Sequence, residues 1–258
     1  GQIMPPIMGA AAFVMAEFMA VSYLTVVSIA IVPAILYFVA VFCAVHFEAK
    51  RMGLKGLPKP DLPRLGEVVK TRGHQFLPLA VIVGVLVSGY SPPYAALCGL
   101  LSVLPVALLG RTTRRDISWR TVYDSIITGI RNTLIVAGAC ASAGIVIGVI
   151  AQTAVGIEFT QLISSGFSDG NIVLALLLTA VAGILLGMGL PTTPAYIVQA
   201  ALLAPALVNL GIAREAAHLF VFYYAILSVI TPPVAISLYA ANGLSGAGLW
   251  ESGIAAVK

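Results

Sequence analysis

The chain has 258 residues, 60% of them apolar and only 9% charged, with a net charge of +4; soluble domains carry roughly a quarter charged residues. That balance excludes a soluble globular protein, and long apolar runs in place of short alternating ones exclude a β-barrel, leaving an all-α polytopic membrane protein. Cys43, Cys98 and Cys140 lie inside apolar runs without metal-ligand spacing and read as packing residues.

The first residues, Gly1-Gln2-Ile3-Met4-Pro5-Pro6, form an apolar segment interrupted by a double proline, and residues 7–20 stay apolar apart from Glu17. Because the amphipathic pattern beginning at Trp250 stops early, the chain is expected to be part of a longer permease. Ser22–Val45 has about the 20 residues a bilayer crossing needs. Residues 46–75 form a polar loop with seven Lys/Arg, and prolines 58, 60 and 63 argue against one long helix there. Phe76–Tyr90 and Tyr94–Leu109 are expected as two spans joined by the turn Ser91-Pro92-Pro93.

From Ser118 to Arg131, Trp119, Val122, Ile126, Ile127 and Ile130 recur at helical spacing with Arg120, Asp124 and Arg131 elsewhere on the wheel. This pattern predicts an amphipathic helix lying in the interface over 118–131. A crossing follows over 132–150, with Cys140, Gly144 and Gly148 as small contact residues. Residues 151–170 hold Glu158 and Asp169 but no Lys or Arg. Twelve of the fourteen Lys/Arg lie in 46–75 and 110–131, so both stretches are expected on the cytoplasmic side and 151–170 outside.

Two apolar runs, Ile172–Leu186 and Ala195–Val208, flank Gly187-Met-Gly-Leu-Pro-Thr-Thr-Pro194. Backbone groups freed by such a break are tolerated at membrane depth only where protein buries them or where they line a polar cavity. Thr193 is expected to cap the following helix with Pro194 at its first position, aiming the positive helix end at a cavity suited to an anion. Whether 171–208 is a re-entrant hairpin or two full crossings stays open, as does a packing kink against a site. Leu219–Val229 and Val234–Ala241 are split by Ile230-Thr231-Pro232-Pro233, which echoes Ile3-Met4-Pro5-Pro6. Similar elements in opposite orientation suggest inverted-topology repeats around a central site.

Four stretches, GQIMPPIMGAAAF (1–13), VHFEAKRMGL (45–54), GMGLPTTPAYIV (187–198) and AHLFVFYYAILSVITPPVAISLYAA (217–241), resemble the DctM-like large permease subunit of tripartite ATP-independent periplasmic (TRAP) transporters. The similarity is greatest to the fused small-plus-large type that works with TAXI-class binding proteins. The resemblance implies an inverted-repeat secondary transporter with broken helices and a re-entrant hairpin, an elevator fold like that of the ion-transporter superfamily, here with its first repeat truncated. It implies a multi-pass protein of a bacterial or archaeal cytoplasmic membrane, importing organic anions with Na+ as the coupling ion and no organic cofactor. The partners it implies are a periplasmic substrate-binding protein, a small permease subunit or fused N-terminal region, and membrane lipid, with no nucleic acid.

By the same resemblance 1–20 ends the first repeat and 21–117 is scaffold. Residues 132–248 form the second repeat, with hairpin 171–208 and broken helix 217–248, and 249–258 starts a further helix. The hairpin tip falls on Gly187–Thr193, its broken-helix partner on Ser228–Pro233 and the first-repeat loop on Ile3–Pro6. Substrate contacts are expected from Thr192, Thr193, Tyr196, Pro5 and Pro6, with Gln199 a further cavity-lining candidate. A Na+ site needs hard oxygen ligands, expected from Gly187, Gly189, Ser228, Thr231 and Pro232. A counterpart hairpin for the first repeat is expected upstream of Gly1, so that the chain alone would hold about half the site.

An intramembrane protease would need paired acids, a Ser/His set or a His-Glu-x-x-His helix at depth, whereas Glu17 is the one acid expected near a segment's interior and His218 is expected near an outer edge. A channel would want a continuous polar pore, and two proline-broken segments fit alternating access better. The remaining alternative is a non-transporting membrane scaffold or anchoring subunit. Arg214 and His218 read as a solvated outer loop or a contact for the binding protein.

Overall fold

The computed structural model describes residues 2–6, 8–54, 56, 58, 62–109, 114, 117–153, 157–158, 161 and 172–257, and every regular element among them is helical. Lys59 and Asp169, which bear on sidedness, lie outside the described residues. The chain divides into two compact units.

The first unit comprises Ile3–Met8 and Ser22–Gly129. Its longest complete helix, α2, covers Tyr23–Arg51; α1 belongs to the second unit. Ser22 caps α2 by accepting the Thr25 amide at 3.2 Å, and Lys50 and Arg51 sit in the last turn, where cations offset the carbonyl end. At about 44 Å, α2 exceeds the hydrocarbon thickness, and Leu36 and Phe42 are 64% and 71% exposed. Apolar side chains of this size are at home against lipid.

Helix α3 (Leu65–Arg72) begins past the prolines and runs through a 3-10 turn, Gly73–Phe76, into α4 (Leu77–Val87). α4 packs against α5 (Pro92–Leu109) so closely that a Cβ on Gly99 would strike the Ile82 side chain. The span expected over Phe76–Tyr90 is helical only to Val87, and the 3-10 turn and α3 continue it without a gap on the N-terminal side. Gly89, at φ +84, ends it, and the 11 residues of α4 reach only about 16 Å.

Helix α6 runs unbroken over Trp119–Thr153. It passes the boundary expected between Arg131 and Asn132 without interruption; Gly129 is accommodated within the helix, and the two compact units divide there. An interfacial helix followed by a separate crossing would need a bend at that point. At 35 residues, or about 52 Å, α6 exceeds a 30 Å core by roughly the length of its charged first 13 residues. α2, α5 and α6 are the described helices long and apolar enough to cross a membrane.

The second unit holds Gln2, Gly9–Val21 and Ile130–Lys258. Its hub is α8 (Thr192–Asn209), which packs against α1 (Ala10–Met19), α7 (Ile172–Gly187) and α9 (Arg214–Leu227). Only small or apolar residues can be enclosed on three sides at low cost. α8 supplies Ala195, Val198, Ala200, Leu202, Leu203, Ala204, Ala206 and Leu207, all buried. α7 and α8 form a helical hairpin across residues 188–191. After the break at 228–235, α10 (Ile236–Ser245) packs on α11 (Leu249–Val257).

Candidate functional site

The two double-proline loops share a local backbone. Pro5–Pro6 and Pro232–Pro233 are both cis. Two residues beyond each pair, Met8 and Ala235 take left-handed conformations at φ 47 and 38. A backbone bond spans each loop, from Gly9 N–H to Gln2 O at 3.0 Å and from Ser237 N–H to Val229 O at 3.1 Å. The helices that follow, α1 and α10, are each 10 residues long and each ends at a left-handed residue, Ala20 or Gly246. The short sequence echo thus extends to the backbone on both sides of each proline pair.

At the hairpin tip, Gly187 closes α7 and its carbonyl accepts the Leu190 amide at 3.2 Å. Gly189 lies at φ +80, a conformation in which a side chain is strained. Thr193 is not the cap of α8. Pro191 occupies that position at φ −58 and ψ 153, and no side chain caps the helix. The cause is that proline's fixed φ already suits the residue before a helix. The helix accordingly starts two residues earlier than expected, with Thr192 first, and Pro194 still falls where its missing N–H costs nothing. The freed Thr192 hydroxyl instead donates to Oε1 of Gln2 at 2.8 Å. The Gln2 amide NH2 and the Thr192 and Thr193 N–H groups therefore lie together at the positive end of α8.

The structure brings hairpin tip and second break together. A Cβ on Gly187 would lie 2.6 Å from Gln199 Nε2 and 2.8 Å from Ser228 Cβ, with the Ser228 hydroxyl crowding the same point. One on Gly189 would meet Val234 at 3.7 Å. Ser228 is fully buried and donates to Ala225 O at 2.8 Å; Thr231 donates to Leu227 O at 2.7 Å. Each hydroxyl spends its hydrogen on a carbonyl of α9 and keeps oxygen lone pairs for a cation. Neither can donate to an anion in this arrangement, so the break at 228–235 has acceptor character, whereas the α8 terminus has donor character.

Tyr196 does not line an open cavity. It is fully buried, its hydroxyl lies 2.8 Å from Nδ1 of His218, and its ring meets Phe18 and Phe222 edge-on at 6.3 and 5.9 Å. His218 is itself only 6% exposed, which corrects its reading as part of a solvated loop. The amphipathic start of α9 turns it inward, while Arg214 remains exposed. Pro5 and Pro6 belong to the other unit, where Tyr23 donates to Pro6 O at 2.8 Å.

Gln199 is fully buried and neither its Oε1 nor its Nε2 has a hydrogen-bond partner; the hydroxyl of Thr179, 1% exposed, is likewise unpaired. Burying such groups without partners costs roughly 1–3 kcal/mol each. Thr179, Gly183 and Gly187 follow at intervals of four along one face of α7, against which the Gln199 amide lies. The Gln2–Thr192 bond bridges 190 positions of sequence and left no local signal. Among the described residues no group of three His, Cys, Asp or Glu could hold a metal ion.

The family model described as "Tripartite ATP-independent periplasmic transporter, DctM component" matches residues 1–258. No curated protein matches the chain.

Proposed function

The chain belongs to the DctM family of tripartite ATP-independent periplasmic transporter permeases, and from that membership we propose that it is the permease of a Na+-coupled importer of organic anions. The observation that carries this reading is the meeting of hairpin tip and broken helix at Gly187 and Ser228, with acceptor oxygens on one side and the donor end of α8 on the other. A cation held by Ser228, Thr231 and carbonyls of the two breaks would place positive charge near an anion held by Thr192, Thr193 and Gln2. Each ion would then favour the other, which is what coupling requires. An inward Na+ gains roughly 2.3 kcal/mol per 100 mV, and a tenfold gradient adds about 1.4 kcal/mol.

The left-handed residues Met8 and Ala235 and the backbone bond spanning each proline loop support an inverted-repeat reading, in which the second unit carries the site and moves as a body against a scaffold. A binding protein, in our reading of the TAXI class, would deliver the substrate from outside a cytoplasmic membrane, and a small permease subunit or fused region would complete the scaffold. The test is binding of 22Na+ to the purified protein, competed with unlabelled Na+ or K+. Displacement by Na+ but not K+, weakened roughly tenfold (about 1.4 kcal/mol) in Ser228→Ala and Thr231→Ala, is expected. Equal displacement by K+, or unaltered affinity in both variants, would overturn the assignment.

A further inference from the structure

At the end of the second unit away from the hairpin tip, α1, the C-terminal half of α8 and the start of α9 enclose a partly open cavity of about 360 Å3 that the transport reading does not use. Its floor is small and apolar: Ala200 and Ala204 are buried, with His218 held beside them by Tyr196. Its rim carries Phe18, Val208 and Arg214, all exposed. Arg214 is the only Lys or Arg between Asn132 and Val257, so the single cation of that long stretch borders this cavity. One of its N–H groups donates to Phe18 O at 2.6 Å, fixing the guanidinium over the end of α1. A guanidinium has five N–H donors in a planar fork suited to phosphate. Glu215, its neighbour in sequence, does not line the cavity.

One fixed cation over an alanine-floored trough is complementary to a particular kind of molecule, with one anionic group and an apolar tail. A small soluble dicarboxylate would find no second cation among the lining residues, where Asn209 and the Tyr196-bound His218 are the other polar groups, and would set its second charge largely against methyl groups. A neutral lipid would use the trough and waste the cation. We propose that this cavity is a binding site for an anionic phospholipid of the surrounding membrane. Its phosphate bonds the free donors of Arg214, and one acyl chain lies over Ala200 and Ala204. Pro205 favours the same arrangement by leaving Ala201, a lining residue, without a helical donor to its carbonyl. That carbonyl can accept a glycerol hydroxyl of the headgroup.

The site rests on the membrane character of the chain and is independent of Na+ coupling. Purified protein, stripped of lipid in detergent, is titrated with phosphatidylglycerol or phosphatidylcholine of the same acyl chains, and bound lipid is counted by native mass spectrometry. One cation near lipid phosphate contributes about 1 kcal/mol, so a preference for phosphatidylglycerol of about fivefold should be lost in Arg214→Gln and kept in Arg214→Lys. Basic residues of 46–75 and 110–131 bind anionic lipid equally in all variants and cancel from the comparison. Ala201→Phe fills the trough without touching the charge, and should lower occupancy by both lipids. An unchanged preference in Arg214→Gln overturns the proposal. If that variant does not fold, unchanged occupancy in Ala201→Phe overturns it, as does displacement of bound phosphatidylglycerol by millimolar glutarate.

Discussion

The amide nitrogen of Gln199 stands 2.6 Å from the point where a side chain on Gly187 would begin. Glycine at 187 is therefore the condition for α8 to bring a polar group against α7 beside the second break. Gly187→Ala gains about 1 kcal/mol in helix propensity but must displace Gln199 and Ser228, and overpacking typically costs 1–3 kcal/mol. Gly183→Ala meets its nearest atoms at 3.2 Å, where small shifts suffice. Thermal unfolding in detergent should show Gly187→Ala less stable than wild type, and Gly183→Ala within about 1 kcal/mol of it.

The unpaired Gln199 amide yields an effect of opposite sign. Gln199→Met keeps the volume and removes two orphaned polar atoms, so it should raise stability by about 1–3 kcal/mol. A lower melting temperature would show that the amide has partners in the folded protein.

Tyr196 and His218 form a buried pair. Tyr196→Phe strands the imidazole and should cost about 1–3 kcal/mol. Tyr196→Phe combined with His218→Phe should cost less than the sum of the single changes, because both polar partners leave together. A double-mutant cycle in urea measures the coupling; additivity within about 0.3–0.5 kcal/mol would mean that the bond contributes nothing.

Thr192 and Thr193 should separate. Thr193 caps nothing, so Thr193→Ala should leave stability within about 0.5 kcal/mol of wild type. Thr192→Ala removes the bond to Gln2 and should lose about 0.5–1.5 kcal/mol, with Thr192→Ser near wild type. Equal losses at 192 and 193 would restore Thr193 as the cap.

Sidedness is open to labelling. With Cys43, Cys98 and Cys140 replaced, cysteines at Lys50 and Arg120 should react from one face of the membrane and one at Glu158 from the other. Labelling of Lys50 and Glu158 from the same face would refute the topology drawn from the charge distribution.

The sequence showed where the helices break and much less of what meets at the breaks. Pro191, Pro232 and Gly189 restrict or free their own backbone, so their effect is local and readable one residue at a time. Even so, the cap lies two residues before the expected Thr193, since a proline can itself be the residue before a helix. Gln2 and Thr192 meet through tertiary folding alone. The charges of 118–131 resembled a separate interfacial helix because amphipathicity reports surroundings along a helix and says nothing of its ends. His218 looked exposed beside Arg214 because a helix start turns neighbouring residues to opposite sides.

The contrast between α6 and α8 has a practical consequence for engineering. Of the 35 residues of α6 only Ala143 is buried, whereas in α8 most of 18 are. A saturation library should therefore find α6 permissive to exchange among Leu, Ile, Val and Phe, restrained by its solvent more than by its neighbours. α8 should tolerate almost nothing bulkier than what it holds. Spectroscopic labels and affinity handles belong on α6. A label on α8 would report chiefly the damage that it does.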